Sequence, residues 1–220
     1  MIIAKFAAVI VIGYILGSIP SGVIVCRLLT GVDVRQYGSG KMGMTNVMRM
    51  AGKKAAVAVF LLDLLKGALA VIFAGLIIGT DYLMLGSIFM GALAAQVLAA
   101  LAAVAGHIYP VFVKFRGGRG VLAFFGGLAA IYPLAALIGG VAFVMGMSLS
   151  RYVSLGSIVG TVVTYILLVP LTILNGFPIE YLIYTLAGAV IVFVMHRDNI
   201  ARLVVGKERR LGEKAERISL

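Results

Sequence analysis

The stretch Gly120-Val-Leu-Ala-Phe-Phe-Gly-Gly-Leu-Ala-Ala-Ile-Tyr-Pro133-Leu-Ala-Ala-Leu-Ile-Gly-Gly-Val-Ala-Phe-Val-Met-Gly-Met147 decides the fold. It is apolar from end to end and bracketed by cations: Lys114, Arg116 and Arg119 before it, Arg151 after it. Short loops rich in Lys and Arg stay on the cytoplasmic side of a bilayer. Both ends of the stretch therefore lie on one side, and the chain between them enters the membrane and returns. Pro133 stands at the middle, with Gly126, Gly127, Gly139 and Gly140 around it. Proline removes a helix hydrogen bond and breaks the run. The pattern predicts a hairpin of two short helices around Pro133, each of about 14 residues and about 21 Å.

Outward from this stretch, further apolar runs cover 2–29, 55–79, 82–106, 153–174 and 179–196. A helix needs roughly 20 apolar residues to cross about 30 Å of hydrocarbon. With the hairpin counted as two, the prediction is an all-α polytopic membrane protein of seven transmembrane helices. The runs do not alternate in polarity, which excludes a barrel. No polar domain or linker interrupts them, so residues 1–220 read as a single integral-membrane domain. The first run continues through Pro20 and is too long for the apolar core of a signal peptide, although Lys5 precedes it. Cys26 stands alone, which excludes a disulfide framework and a cysteine metal cluster. No carboxylate cluster suggests a metal, and no cofactor is called for.

The net charge of +11 is carried by the polar gaps. The gap 30–54 holds Arg35, Lys41, Arg49, Lys53 and Lys54, and the tail from Arg197 holds seven basic residues. The gaps at 80–81 and 175–180 contribute Asp81 and Glu180 and no cation. This asymmetry places the N-terminus outside and the C-terminus in the cytosol, with basic loops against an anionic leaflet rather than nucleic acid.

Four of these gaps carry more than charge. Gly38-Ser-Gly-Lys-Met-Gly43-Met-Thr-Asn46-Val-Met-Arg49 combines glycines, which let backbone N–H groups approach an anion, with hydroxyls, an amide and a guanidinium fork. It lacks the ending of a Walker loop. Gly106-His107-Ile-Tyr-Pro110 leads to Lys114-Phe-Arg116-Gly117-Gly118-Arg119-Gly120, which opens a helix and so offers a second anion site. Ser148 to Ser157 brings hydroxyls to a third helix start, which simple N-capping also explains. His196, Asn199 and Arg202 are three apart and share a face if the last helix continues. Within a span, Asp63 and Lys66 are three apart and read as an internal ion pair. Gly17-Ser-Ile-Pro20-Ser-Gly22 reads as a kinked site of close helix packing. The four polar constellations fall on one membrane face, which points to an anionic, phosphate-bearing substrate at the bilayer surface.

These motifs, in this order, resemble the bacterial membrane acyl-phosphate:glycerol-3-phosphate acyltransferases of the PlsY type. The likeness runs nearly end to end through Gly17–Gly22, Gly38–Arg49, Leu62-Asp-Leu-Leu-Lys-Gly67, Gly106–Pro110, Lys114–Gly120, Ser154-Leu-Gly-Ser157 and His196-Arg-Asp-Asn-Ile200. The resemblance implies transfer of an acyl group from acyl phosphate to the 1-hydroxyl of glycerol 3-phosphate, giving lysophosphatidate and phosphate, at a cytoplasm-facing site in the bacterial inner membrane. It implies acyl phosphate, glycerol 3-phosphate and membrane lipid as partners, with no metal and no nucleic acid. By resemblance, Ser39, Arg49 and His196 are the catalytic candidates. Gly38, Gly40, Lys41, Gly43, Thr45, Asn46, His107, Lys114, Arg116, Gly117, Gly118, Arg119, Ser154, Ser157 and Asn199 are the substrate-binding candidates, with Asn46 supporting the loop. Lys41 stands where the family usually has Asn, and Arg116 and Arg119 where it usually has Lys. Two other classes, a transporter of phosphate-bearing solutes and a phospholipid-binding scaffold, use the same anion loops. No Ser-His-Asp triad is evident.

Overall fold

The first helix breaks where Pro20 stands. In the computed structural model, which describes residues 1–218, α1 runs Ile2–Ser18 and α2 runs Ser21–Thr30. A one-turn 3-10 helix, Val34–Gln36, leads into α3 (Met44–Ile78). Gly52 interrupts α3 with φ 84, ψ −177, which sets its first two turns apart from the long apolar remainder.

The run expected as one helix over 82–106 begins instead with two short strands, β1 (Leu83–Leu85) and β2 (Ile88–Met90). They pair antiparallel, with Leu83 opposite Met90 and Met84 opposite Phe89. The turn between them contains Gly86 at φ 61, a left-handed conformation that favours glycine and cannot continue a helix. The helix proper, α4, is Ala92–Ile108. It lies against α1 at near-backbone distance, because a Cβ on Gly17 would strike Ala103 O and one on Gly106 would strike Tyr14 O.

The break at Pro133 is present. α5 (Val121–Ile131) and α6 (Pro133–Ser150) are separated by Tyr132 alone, in an extended conformation. Phe125 lies 3.0 Å from where a Cβ on Gly139 would sit, and its ring meets Phe143 edge-on. Residues equally far from Tyr132 thus face each other, as in a hairpin. The two arms are unequal, 11 and 18 residues instead of two of similar length. Gly120 holds a left-handed conformation that delays the start of α5, and α6 continues to Arg151, also left-handed. α7 is Val153–Asn175 and α8 is Ile179–Met195; a 60° bend at His196 leads into α9 (Arg197–Val204).

Five helical segments among the described residues are long and apolar enough to cross a membrane, and six if α8 and α9 count as one. The 11 residues of α5 rise only about 16 Å, so the count of seven depends on this short arm. Many large apolar side chains on α3, α6, α7 and α8 face outward, among them Leu61, Leu65, Leu137, Val144, Ile166, Ile173, Val190 and Phe193, as lipid requires. The interior is tied together by α5 and α8, where the Phe124 and Tyr184 rings stack at 5.1 Å and the Tyr184 hydroxyl donates to Phe124 O at 2.9 Å.

Candidate active site

Three helices begin at the same end of the bundle: α3 at Met44, α5 at Val121 and α7 at Val153. Among the described residues no side chain caps any of the three. An uncapped helix start presents free N–H groups and the positive end of the helix dipole. The first turns of all three line one cavity. Its other walls carry Ser39, Lys41, Arg49, Arg119, His196, Asn199 and Arg202. The four polar constellations of the sequence therefore meet in one place.

The cations are crowded and short of counter-charge. Lys41, Arg49 and Arg119 have no carboxylate partner among the described residues. The Nε atoms of Arg49 and Arg119 are buried without a hydrogen-bond partner there. Burial pushes the Arg119 guanidinium down to about 10, and burial followed by the Arg119 charge pushes Lys41 down. Desolvated donors of one sign around a cavity are a site for an anion.

Glycines in both loops have their backbone donors engaged, unlike the nest expected at Gly38–Gly43. The N–H of Gly38 donates to Glu216 O, that of Ser39 to Asn46 Oδ1, and that of Gly40 to Tyr37 O. Those of Gly117 and Gly118 donate to Ile108 O and His107 O. All five are spent within the protein. What these glycines supply is close approach: a Cβ on Gly38 would strike Asn46 Oδ1, and one on Gly118 would strike His107 Nε2. Asn46 is the hub of the first loop. Its Nδ2 lies 2.9–3.1 Å from Val34 O, Tyr37 O and Lys41 O, so the side chain is engaged with backbone.

His196 caps the end of α8. Its Nδ1 is 2.7 Å from Val192 O, which places the ring proton there and leaves Nε2 as an acceptor. Burial, followed by the Arg119 charge, lowers its pKa to about 4, so the ring is neutral near pH 7. At the cavity floor Asp63 pairs with Lys66 at 2.8 Å, as the spacing suggested, and with His107 Nδ1 at 3.5 Å. Lys66 also donates to Ile19 O, a carbonyl at the Pro20 kink.

Gly43, Thr45, Asn46, His107, Gly118, Arg119, Ser154, Ser157 and Asn199 all line the cavity with Ser39, Lys41, Arg49 and His196. Gly40, Lys114, Arg116 and Gly117 do not, and Lys114 and Arg116 are exposed. Gly38 lines a neighbouring cavity that shares Ser39 and Arg49 with the first.

One residue had not been singled out. Glu208 follows α9 within the basic run Lys207-Glu-Arg-Arg210 and turns back into the cavity wall. Its carboxylate accepts from Ser154 Oγ at 3.1 Å, Asn199 Nδ2 at 2.6 Å and Arg202 Nε at 2.8 Å. The segment beyond it crosses the first loop as a strap: Leu211 N donates to Arg151 O, Ile218 N to Gln36 O, and Arg49 Nη2 to Arg209 O and Arg210 O. Its place as the single acid inside Lys207–Arg210 was the only hint in the sequence.

Fold and site together define a multi-pass membrane protein with a cavity lined by cations and helix starts at one end of its helices. The model of the family "Glycerol-3-phosphate acyltransferase" matches residues 7–206. The chain is 57% identical over 215 residues to glycerol-3-phosphate acyltransferase 3 of Dehalococcoides mccartyi, covering 98% of this chain and 100% of that one. It is 40% identical to the glycerol-3-phosphate acyltransferase of Halalkalibacterium halodurans, over 94% and 96% of the two chains. The crystal structure of PlsY (YgiH), an integral membrane glycerol 3-phosphate acyltransferase, in its glycerol 3-phosphate form, superposes with a TM-score of 0.80 at 35% identity, over 94% of this chain and 96% of that one. The lysophosphatidic acid form of the same enzyme gives 0.78. The chain belongs to the glycerol-3-phosphate acyltransferase family and is an acyltransferase of the PlsY type.

Proposed function

We propose that this protein transfers an acyl group from acyl phosphate to the 1-hydroxyl of sn-glycerol 3-phosphate, the first step of phospholipid synthesis. The observation that carries the reading is the convergence of three uncapped helix starts on Lys41, Arg49 and Arg119, cations without a carboxylate partner among the described residues. Both substrates present phosphate, and a site of this charge neutralises two such groups while bringing them together. In this reading one 220-residue domain sits in the bacterial cytoplasmic membrane, with its N-terminus outside and its C-terminus and cavity facing the cytosol.

An acyl phosphate is a mixed anhydride, so its acyl carbon needs no covalent enzyme intermediate. The 1-hydroxyl oxygen attacks the carbonyl carbon, the bond from that carbon to the phosphate oxygen breaks, and the hydroxyl proton passes to the departing phosphate. Arg49 and Arg119 grip the phosphate groups, Ser39 borders the reacting centre, and neutral His196 accepts from the incoming glycerol through Nε2. Asn199 and Ser154, set in place by Glu208, complete the glycerol phosphate side. Met44, Val121, Leu122, Phe143 and Val153 give the cavity an apolar wall along which the acyl chain leaves toward lipid.

The test is purified protein in proteoliposomes with labelled glycerol 3-phosphate and either acyl phosphate or acyl-CoA. Acyl phosphate yields lysophosphatidate and inorganic phosphate in equal amounts. Turnover with acyl-CoA alone refutes the choice of donor.

A further inference from the structure

We infer that the β1–β2 hairpin is a membrane-interface anchor, seated at the boundary between lipid headgroups and acyl chains on the face opposite the cavity. The first turns of α3 and the last turn of α4 line the cavity, so the hairpin joining the other ends of these helices lies at the far membrane surface. One pair, Leu83 and Met90, packs against the buried cluster of Phe6, Val9 and Ile78 and closes that end of the bundle. The remaining side chains point away from the protein. Tyr82, Met84, Leu85, Ile88 and Phe89 are each 53–60% exposed.

An antiparallel sheet with one face on a core shows polar residues on the other when that face meets water. This one shows Met84 and Phe89 there, flanked by Tyr82, whose ring lies 5.2 Å from that of Phe89, while Leu85 and Ile88, on the same face as Leu83 and Met90, extend past the core and are exposed as well. Aromatic rings of this kind favour the headgroup level. The only nearby charge on the loop, Asp81, is paired with Lys5 of α1.

The backbone sets the depth. A two-stranded hairpin has unpaired N–H and C=O groups on both outer edges, which hydrocarbon does not tolerate. Five large apolar side chains favour leaving water, and two open edges require polar partners. The headgroup boundary satisfies both, as it does for amphipathic segments lying in the membrane plane. The occupant of this face is therefore lipid.

The chain contains no tryptophan, so Phe89→Trp introduces a single one, excited selectively at the red edge beyond tyrosine absorption. Reconstituted at one copy per nanodisc, its emission should be blue-shifted from that of free tryptophan. Lipids brominated near the glycerol end should quench it more than lipids brominated at the chain terminus, and acrylamide should quench it several-fold less than the free amino acid. Ile88→Trp serves as the second variant and should report the same depth. Acrylamide quenching equal to that of free tryptophan shows a water-facing hairpin and overturns the inference. Shielding that appears only when two copies share a nanodisc shows that a second copy covers this face, and overturns it equally.

Discussion

Removing the Glu208 carboxylate separates a structural role of the C-terminal strap from an incidental one. Glu208 is buried and receives three hydrogen bonds, from Ser154, Asn199 and Arg202. A hydrogen bond to a charged group is worth about 1.5–3 kcal/mol, and breaking a buried charged pair costs about 3–5 kcal/mol because the partner is left unsatisfied. Ser154 and Asn199 are buried and bear most of this; Arg202 is 30% exposed at its side chain and recovers part through water. Glu208→Ala should therefore destabilise the protein by about 3–5 kcal/mol, or roughly 6–20 °C in melting midpoint for a chain of this size. Glu208→Gln keeps an acceptor for Ser154 and Asn199 and should lose about half as much. The assay is thermal unfolding in detergent micelles, followed by kinetics well below the lowered midpoint. An alanine variant that melts with the wild type refutes the argument, because it shows that the three bonds stabilise nothing.

Arg49→Ala and Arg119→Ala each delete a charge-assisted contact worth about 1.5–3 kcal/mol, which lowers kcat/KM for glycerol 3-phosphate roughly 10- to 100-fold. Lysine at either position should rescue only in part, since it lacks the fork; wild-type kcat/KM in either alanine variant removes that residue from the site. His196→Gln should act mainly through the KM for glycerol 3-phosphate, and saturating substrate should restore most of kcat. A general base would instead cost about 10²–10⁴ in kcat at saturation. Because the His196 pKa is lowered to about 4, the ring stays neutral across pH 6–8 and its contribution does not titrate there. The ratio of wild-type to His196→Gln rates should stay constant over that range, and a ratio that falls toward pH 6 contradicts a neutral histidine.

Much of the fold was legible because the membrane leaves few solutions. Arg119 and Arg151 on either side of one apolar stretch required a return, and Pro133 marked where it occurs. The intramembrane pair Asp63 and Lys66 was likewise legible from spacing and from the cost of an unpaired charge in lipid. The strands at 83–90 were not, because their apolar side chains are indistinguishable from the start of a helix; only Gly86-Ser87 marks the turn. Nor was the continuity of His196 with Asn199 and Arg202: a 60° bend separates the first from the other two. They still meet in the cavity, because α9 turns its face inward after the bend. Glu208 escaped because its role depends on the tail folding back, a long-range event that local patterns do not encode.

The difference between the glycine nest expected at Gly38–Gly43 and the backbone donors observed at the helix starts, as expected at Gly120, bears on how the site works. A loop whose N–H groups wait for an anion has unmade bonds when empty and is free to rearrange. Here Gly38, Ser39, Gly40, Gly117 and Gly118 have already donated within the protein, and Asn46 and His107 sit against glycines that admit no side chain. The loops are stiff before substrate arrives. The donors left over, at the starts of α3, α5 and α7, are fixed by the helices behind them and need no reorganisation as charge shifts toward the leaving phosphate. This matches the chemistry proposed for the site. Acyl phosphate brings its own activation, so rate comes from orienting the hydroxyl and holding two anions side by side, which requires rigidity more than a nucleophile. The cations proposed to hold those anions are Arg49 and Arg119, whose buried Nε atoms have no partner among the described residues. A buried guanidinium is costly without an anion beside it, so under the proposed reaction the phosphate groups of the two substrates would offset the burial of these cations.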